Sequence, residues 1–292
     1  MKFNNLFFLF SVYILWSACN IINPPEKVPT YIHIDSFKFV NTDAGRTGSS
    51  SHTINSVWVT YNGTVVGVYD LPATIPIIAT GSAPLSLGPG IAVNGMNDFL
   101  SIYPFYVNDT STLVANPGKI INYTPVTTYY GPLADTFRFM ENFEAGSIFV
   151  SDTTFNKGTM VRTSSTDSVF EGHYSAAMRL NSVNDSVEVN NRDSILLPGG
   201  PSMCEFNYKG TGDIYFGMQA FISANGATVP SGKQYLYGFN PSDSWQKMYI
   251  SLADYAAQYA GGYFYIYFKA AVHPGQSSGY ILIDNVKIIT SK

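Results

Sequence analysis

Tyr263-Phe264-Tyr265-Ile266-Tyr267-Phe268 decides the fold class of this chain. Successive side chains of a strand point to opposite faces, so Phe264, Ile266 and Phe268 share one face and the three tyrosines share the other. Ile214-Tyr215-Phe216-Gly217-Met218-Gln219 repeats the pattern, with Ile214, Phe216 and Met218 turned inward and Tyr215 and Gln219 outward. Tyr235 and Tyr237, two residues apart, are expected to share a third such face. Several strands of this kind, each with an apolar and a tyrosine-bearing side, make a sheet with one face in the core.

The composition agrees. Of 292 residues only 36 are charged, or 12%, against about a quarter in an ordinary soluble domain. Aromatic residues reach 15%, as 21 Tyr, 20 Phe and 3 Trp. Disorder requires high charge and few aromatics, so it is excluded. With 16 Lys+Arg against 20 Asp+Glu the net charge is −4, and no basic field is available for a nucleic-acid partner. Tyr, Thr, Ser, Asn, Gly and Val in place of Lys and Glu mark a β-rich protein.

The chain begins Met1-Lys2-Phe3-Asn4-Asn5, followed by an apolar run over residues 6–15. That run is too short for a permanent span, which takes about twenty residues, and has the length of a signal-peptide core. It leads into Leu15-Trp16-Ser17-Ala18-Cys19, which resembles the lipobox of bacterial lipoproteins of the Bacteroidetes type. The resemblance implies a signal peptide over residues 1–18, acylation of Cys19 and an extended tether over residues 19–27. It also implies an outer-membrane location, held by the membrane partner through several acyl chains, because one chain alone binds marginally. Acidic residues after the cysteine are reduced to Glu26, so the cell-surface and periplasmic faces both stay open. With Cys19 acylated, Cys204 has no internal partner, and Met203-Cys204-Glu205-Phe206 reads as a strand with a buried thiol.

The rest divides into a small all-β domain over residues 28–132 and a second domain over residues 137–292. In the first, a strand is expected over residues 31–40 with Ile32, Ile34 and Ser36 on one face. Asn62-Gly63 between two β-branched runs signals a hairpin. Ala83-Pro84-Leu85-Ser86-Leu87 is expected to end in a Gly88-Pro89-Gly90 turn. The Tyr61–Gly67 region resembles small surface repeats of the carboxypeptidase-regulatory or PEGA kind. In the second, four motifs stand in order: Phe143-Glu144, Gly172-His173-Tyr174-Ser175, Trp245-Gln246-Lys247-Met248, and Ile283-Asp284-Asn285-Val286-Lys287. This order resembles the jelly-roll domains of carbohydrate-binding modules and galactose-binding-like proteins, over just more than half the chain. A helical turn over residues 252–259 fits the same arrangement.

These readings place a ligand face on Tyr215, Gln219, Tyr235, Tyr237, Tyr263, Tyr265 and Tyr267. Tyrosine rings suit the C–H faces of a pyranose, and amides and hydroxyls suit its OH groups. The competing reading is that cross-strand aromatic pairs only stabilise the sheets. Trp245, beside Met248 and Ile250, reads as a core anchor. The resemblance implies a structural Ca²⁺ on Glu144 and Asp284, since hard carboxylate and carbonyl oxygens suit that ion; a salt bridge or cap is the alternative. The function that follows is a non-catalytic, membrane-anchored lipoprotein that binds a glycan. The alternatives are a structural accessory of an outer-membrane protein complex in transport, secretion or assembly, and a jelly-roll polysaccharide hydrolase or lyase using Glu144 and Asp284. His33, His52, His173 and His273 are scattered, and neither a phosphate loop nor a Gly-x-Ser-x-Gly elbow is present. His33 and Asp35, two apart on a strand, form one isolated pair, too few for a metal site. Asp152-Thr153-Thr154, Asp167-Ser168, Asp185-Ser186 and Asp193-Ser194 resemble Bacteroidetes O-glycosylation sites, and Asp before Ser or Thr is equally a turn signal.

Overall fold

The computed structural model describes residues 26–151, 158–224, 227–259 and 262–292, so Cys19 and Asp152-Thr153-Thr154 lie outside the described residues. Almost every described element is a strand, and the helices are the short Ala44–Thr47 and Ala253–Gln258 with a 3-10 turn at Val93–Gly95. The chain is thus all-β, as its alternation requires.

Residues from Asp135 onward form two facing antiparallel sheets. One joins Met160–Thr163, Ser175–Asn181, Ser278–Ser291, Ser202–Gly210 and Ser242–Ser251, with Asp135–Glu141 also on Ser278–Ser291. The other joins Phe149–Ser151, Ser186–Asn191, Tyr263–Ala271, Asp213–Ala224 and Gln234–Phe239. Consecutive strands cross repeatedly from one sheet to the other, which is the jelly-roll arrangement. Phe206, Phe216, Phe264, Ile266, Phe268 and Ile283 meet in the core between them, all fully buried. A buried Phe or Ile contributes roughly 1.5–3 kcal/mol, so this layer is the main source of stability. Cys204 is buried here, and burial, with Glu205 beside it, pushes its thiol well above the ordinary range. Such a thiol is an inert core residue.

The residues before Asp135 pair among themselves around a second core that includes Ile32, Ile34, Val57, Ile75 and Leu87. The hairpin stands at Asn62-Gly63, with φ of 48° and 75°, the left-handed pair that a two-residue turn needs. Two expectations are corrected. The first strand stops at Ile34 and resumes at Lys38–Phe39; Phe37 enters the core while Ser36 faces solvent. The kink changes the alternation because burying a phenyl ring outweighs burying a hydroxyl. Nor does Gly88-Pro89-Gly90 turn the chain: it lies inside the eleven-residue strand Ser82–Ala92. Gly88 pairs with Trp58 and Gly90 with Ser56 of the neighbouring strand, and a Cβ on Gly90 would sit 2.1 Å from Ser56 Oγ and 3.1 Å from the indole Cδ1 of Trp58. Bare backbone is needed there for close approach.

The two units share a third core. Ile91, Val93, Tyr103, Phe105, Tyr106 and Tyr129 of the first pack on Met203, Tyr249 and Ile289, which project from the outer face of the first jelly-roll sheet. Buried with them is Glu205, which accepts hydrogen bonds from the Tyr103 and Tyr129 hydroxyls and lies 2.8 Å from Lys247 Nζ. Lys287 Nζ donates to Ser49 O at 2.6 Å, and Asn207 Nδ2 to Ser51 Oγ at 2.9 Å. Burial pushes the Glu205 carboxyl up, but the Lys247 and Lys287 ammonium groups win and hold it below its usual range. For Lys287, burial outweighs Glu205 and lowers the ammonium to about 7. The first unit therefore covers the part of this sheet's outer face around Met203, Tyr249 and Ile289, and the shared core takes no residue from the opposite sheet.

Candidate functional site

The outer face of that opposite sheet is built from register. Glu188, Lys269 and Tyr215 stand side by side on three neighbouring strands; Asn190, Tyr267 and Gly217 form the next row, and Tyr265 and Gln219 the one after. Their neighbours in sequence, such as Val187, Val189, Ile214, Phe216, Phe264 and Phe268, are the buried ones. The alternation read from the sequence is thus realised, and it positions the tyrosines without further help.

The seven candidate residues do not all serve the same role. Tyr263 is 51% exposed and Tyr235 43%, and Tyr215 and Tyr265 are half-buried. These four offer ring surface. Tyr265 packs edge-on to Phe221 at 4.8 Å between centroids, and Tyr215 edge-on to Tyr235 at 6.4 Å, so the rings stand in two groups. Tyr267 is only 4% exposed. Its hydroxyl donates to Gln219 Oε1 at 2.5 Å, and Lys233 Nζ lies over its ring at 4.2 Å. Gln219 Nε2 in turn donates to Ser231 O at 2.6 Å. Tyr267 and Gln219 are therefore the base of the face, their polar groups spent on one another and on the Ser231 backbone.

Tyr237 is a correction. It pairs with Phe216, whereas Tyr235 pairs with Gly217, because the register slips by one residue between them. The bulged residue is Leu236, which packs on the core together with Tyr237. A single extra residue reverses which face a side chain occupies. Tyr237 thus leaves the tyrosine face; burial and then the nearby Asp254 raise its phenol. Gly217 permits what remains: its missing side chain lets Tyr235 lie over the strand, with Tyr235 Cδ1 at 3.2 Å from where a Cβ would be. From there the Tyr235 hydroxyl and Lys233 Nζ both reach Glu188. Lys269 Nζ stands over the Tyr235 ring at 5.4 Å. No pattern in the sequence announced Lys233 and Glu188, since a charge on a strand reads as an ordinary solvated residue.

Trp245 is also corrected. It lies half-buried on the outer side of the first sheet, its ring 5.2 Å from that of Phe170, outside the core cluster. Met248 and Ile250 lie an odd number of residues away and so point to the other side.

Glu144 and Asp284 each have their own donors. The Glu144 carboxylate accepts from the His173 and Tyr174 backbone N–H groups at 2.8 and 2.9 Å, and these bonds, the His173 one foremost, lower its pKa. Asp284 is buried, accepting from Ser175 Oγ at 2.6 Å and from the Asn285 N–H at 2.7 Å; burial raises it to about 6. Glu144 thus caps the bend before Ser175, while Asp284 ties the strand Ser278–Ser291 to Ser175. Among the described residues no three His, Cys, Asp or Glu side chains gather as a metal would need. His33 is hydrogen-bonded to Asp35 at 3.1 Å and to Thr74 at 2.8 Å.

No family model and no curated protein matches the chain. Among solved structures it is similar to a study of carbohydrate-binding modules from the β-sandwich superfamily, at 15% identity and TM-score 0.38, over 80% of this chain and 84% of that one. It is also similar to a family 11 carbohydrate-binding module of Clostridium thermocellum in complex with a mixed-linked β-1,3-1,4 tetrasaccharide. That match has 16% identity and TM-score 0.38 over 55% of this chain and 98% of the other. A third is the enzymatically active domain of a bacteriophage CBA120 tailspike protein, at 15% identity and TM-score 0.37 over 50% of this chain and 20% of that one. Scores at this level carry no argument about what the chain binds, so that question turns on its own residues.

Proposed function

We propose that the chain is a non-catalytic, glycan-binding lipoprotein of the outer membrane, held by acyl chains on Cys19 and binding through the open tyrosine face. One observation carries the reading. The two jelly-roll sheets differ: the first unit packs on the outer face of one around Met203, Tyr249 and Ile289, while the other keeps Tyr215, Tyr235, Tyr263 and Tyr265 at the surface. Rings held in place by Gly217, Phe221 and the buried Tyr267 are pre-positioned, which lowers the cost of ordering them around a ligand. Glu188 and Lys233 hold the Tyr235 hydroxyl in place, and the Lys269 ammonium over the Tyr235 ring supplies a donor for ligand hydroxyl groups.

The test is affinity electrophoresis through gels that each contain one neutral or acidic polysaccharide. Tyr263→Ala and Tyr265→Ala are expected to weaken retention roughly tenfold or more, the factor that about 1.4 kcal/mol represents. Tyr263→Ala should do so with an unchanged melting temperature, because its ring is largely in solvent. If no polysaccharide retards the wild-type protein, the glycan reading fails. Stoichiometric recovery with an outer-membrane protein after mild extraction would then favour the accessory role. Labelling with radioactive palmitate, lost in Cys19→Ser, tests the anchor.

A further inference from the structure

A crevice of about 500 Å³ opens where the two units meet, and it shares no residue with the tyrosine face. Phe99, Ile102 and Pro104 wall it from the first unit, and Pro201 and Met203 from the second. Its size lies within the roughly 300–1,000 Å³ usual for small-molecule sites, which favour domain junctions and apolar walls with a few polar groups. Two features suggest an occupant. Phe99 is 56% exposed and Ile102 is exposed as well, so apolar surface stands uncovered at the opening. Asp254, exposed in the first turn of Ala253–Gln258, is the one charged residue in the lining, which holds no lysine, arginine or histidine.

The walls are held in place. The Asn94 side-chain oxygen accepts from the Ser251 backbone N–H at 2.8 Å, which ties the first unit's turn to the second unit's strand beside the crevice. Next to it Gly95, with φ of 72°, packs so closely that a Cβ there would sit 2.5 Å from Met248 Cε. A crevice formed in advance by docked walls spends little binding energy on ordering.

We infer that this crevice binds a small aromatic amine, its ring against Phe99, Ile102 and Met203 and its ammonium toward the Asp254 carboxylate. Ring burial supplies the affinity, since apolar area removed from water is its main source. Charge supplies the choice: an aromatic acid of the same shape meets a carboxylate with no cation to offset it.

The test uses three ligands of one shape on the full-length protein: tryptamine, 3-methylindole and indole-3-acetate, followed by calorimetry and by amide shifts in NMR. Tryptamine should bind more tightly than indole-3-acetate by roughly two- to fivefold, the range of one exposed ion pair. Asp254→Asn should erase that preference and leave 3-methylindole binding unchanged. Phe99→Ala should weaken all three. Tyr263→Ala should change none of them, which separates this site from the glycan face. Equal binding of tryptamine and indole-3-acetate, or no binding of any of the three, overturns the inference. Loss of tryptamine binding in Tyr263→Ala overturns it too, by moving the ligand to the other face.

Discussion

Glu205→Gln is the sharpest probe of how the units are joined. The substitution keeps the shape and leaves an oxygen to accept from Tyr103 and Tyr129, but removes the charge that faces Lys247 at 2.8 Å. Lys247 is almost wholly buried, so its ammonium is left without an anion in a dry junction. Breaking a buried pair from one side costs about 3–5 kcal/mol, because the remaining charge keeps its desolvation penalty. The structure offers a clean assay: Trp58 reports on the first unit and Trp245 on the second. In variants that keep only one of them, denaturant titration followed by fluorescence should give coincident midpoints when the junction is intact. Glu205→Gln should lower both and pull them apart, as the shared core no longer couples the units. Adding Lys247→Met should recover more than half of the loss, since it removes the stranded cation. A loss below about 1 kcal/mol, the size of a surface pair, would refute the buried-junction reasoning.

Other predictions follow from single contacts. Gly95→Ala should cost about 1–3 kcal/mol in denaturant titrations, because the residue has positive φ and its new Cβ meets Met248 Cε at 2.5 Å and the Phe239 ring at 3.0 Å; a neutral result would place the turn elsewhere. Lys287 titrates near 7 in the folded chain and at 10.5 as a free side chain, so between those values the unfolded chain binds the extra proton. Its contribution to stability should therefore rise from pH 7 to 10.5, and Lys287→Met should flatten that rise in melting curves. Cys204 should resist thiol reagents in the native protein and react only at the rate of unfolding. If Glu144 and Asp284 hold Ca²⁺, chelation should lower the melting temperature; an unmoved curve would leave their hydrogen bonds as the whole of their role.

Much of the fold was legible because burial on one face of a strand leaves a period of two. Phe264, Ile266 and Phe268 against Tyr263, Tyr265 and Tyr267 needed no tertiary information to read, nor did the Asn62-Gly63 hairpin. Two of the misreadings share one cause. At Leu236 and at Phe37 the chain departs from a uniform strand, and from there every later side chain changes face. A one-residue bulge has no reliable mark in a sequence, since it is decided by what the neighbouring strand and core accept. Gly88-Pro89-Gly90 carried a turn signal, yet it is a strand segment whose glycines make room for Ser56 and Trp58 alongside.

The sequence by itself determined the β class, the identity of the inward residues and the tyrosine-bearing character of the late strands. Each follows from local alternation and composition. Only the tertiary structure decided which of two sheet faces is available. Glu205, Lys247 and Lys287 lie in a dry junction because Tyr103, Tyr106 and Tyr129, all far earlier in the chain, close over them. The strand Ser278–Ser291 is covered on both sides, residues 281–290 all being buried. Which partner covers a face depends on contacts far apart in the chain, and these come together only when the two units dock.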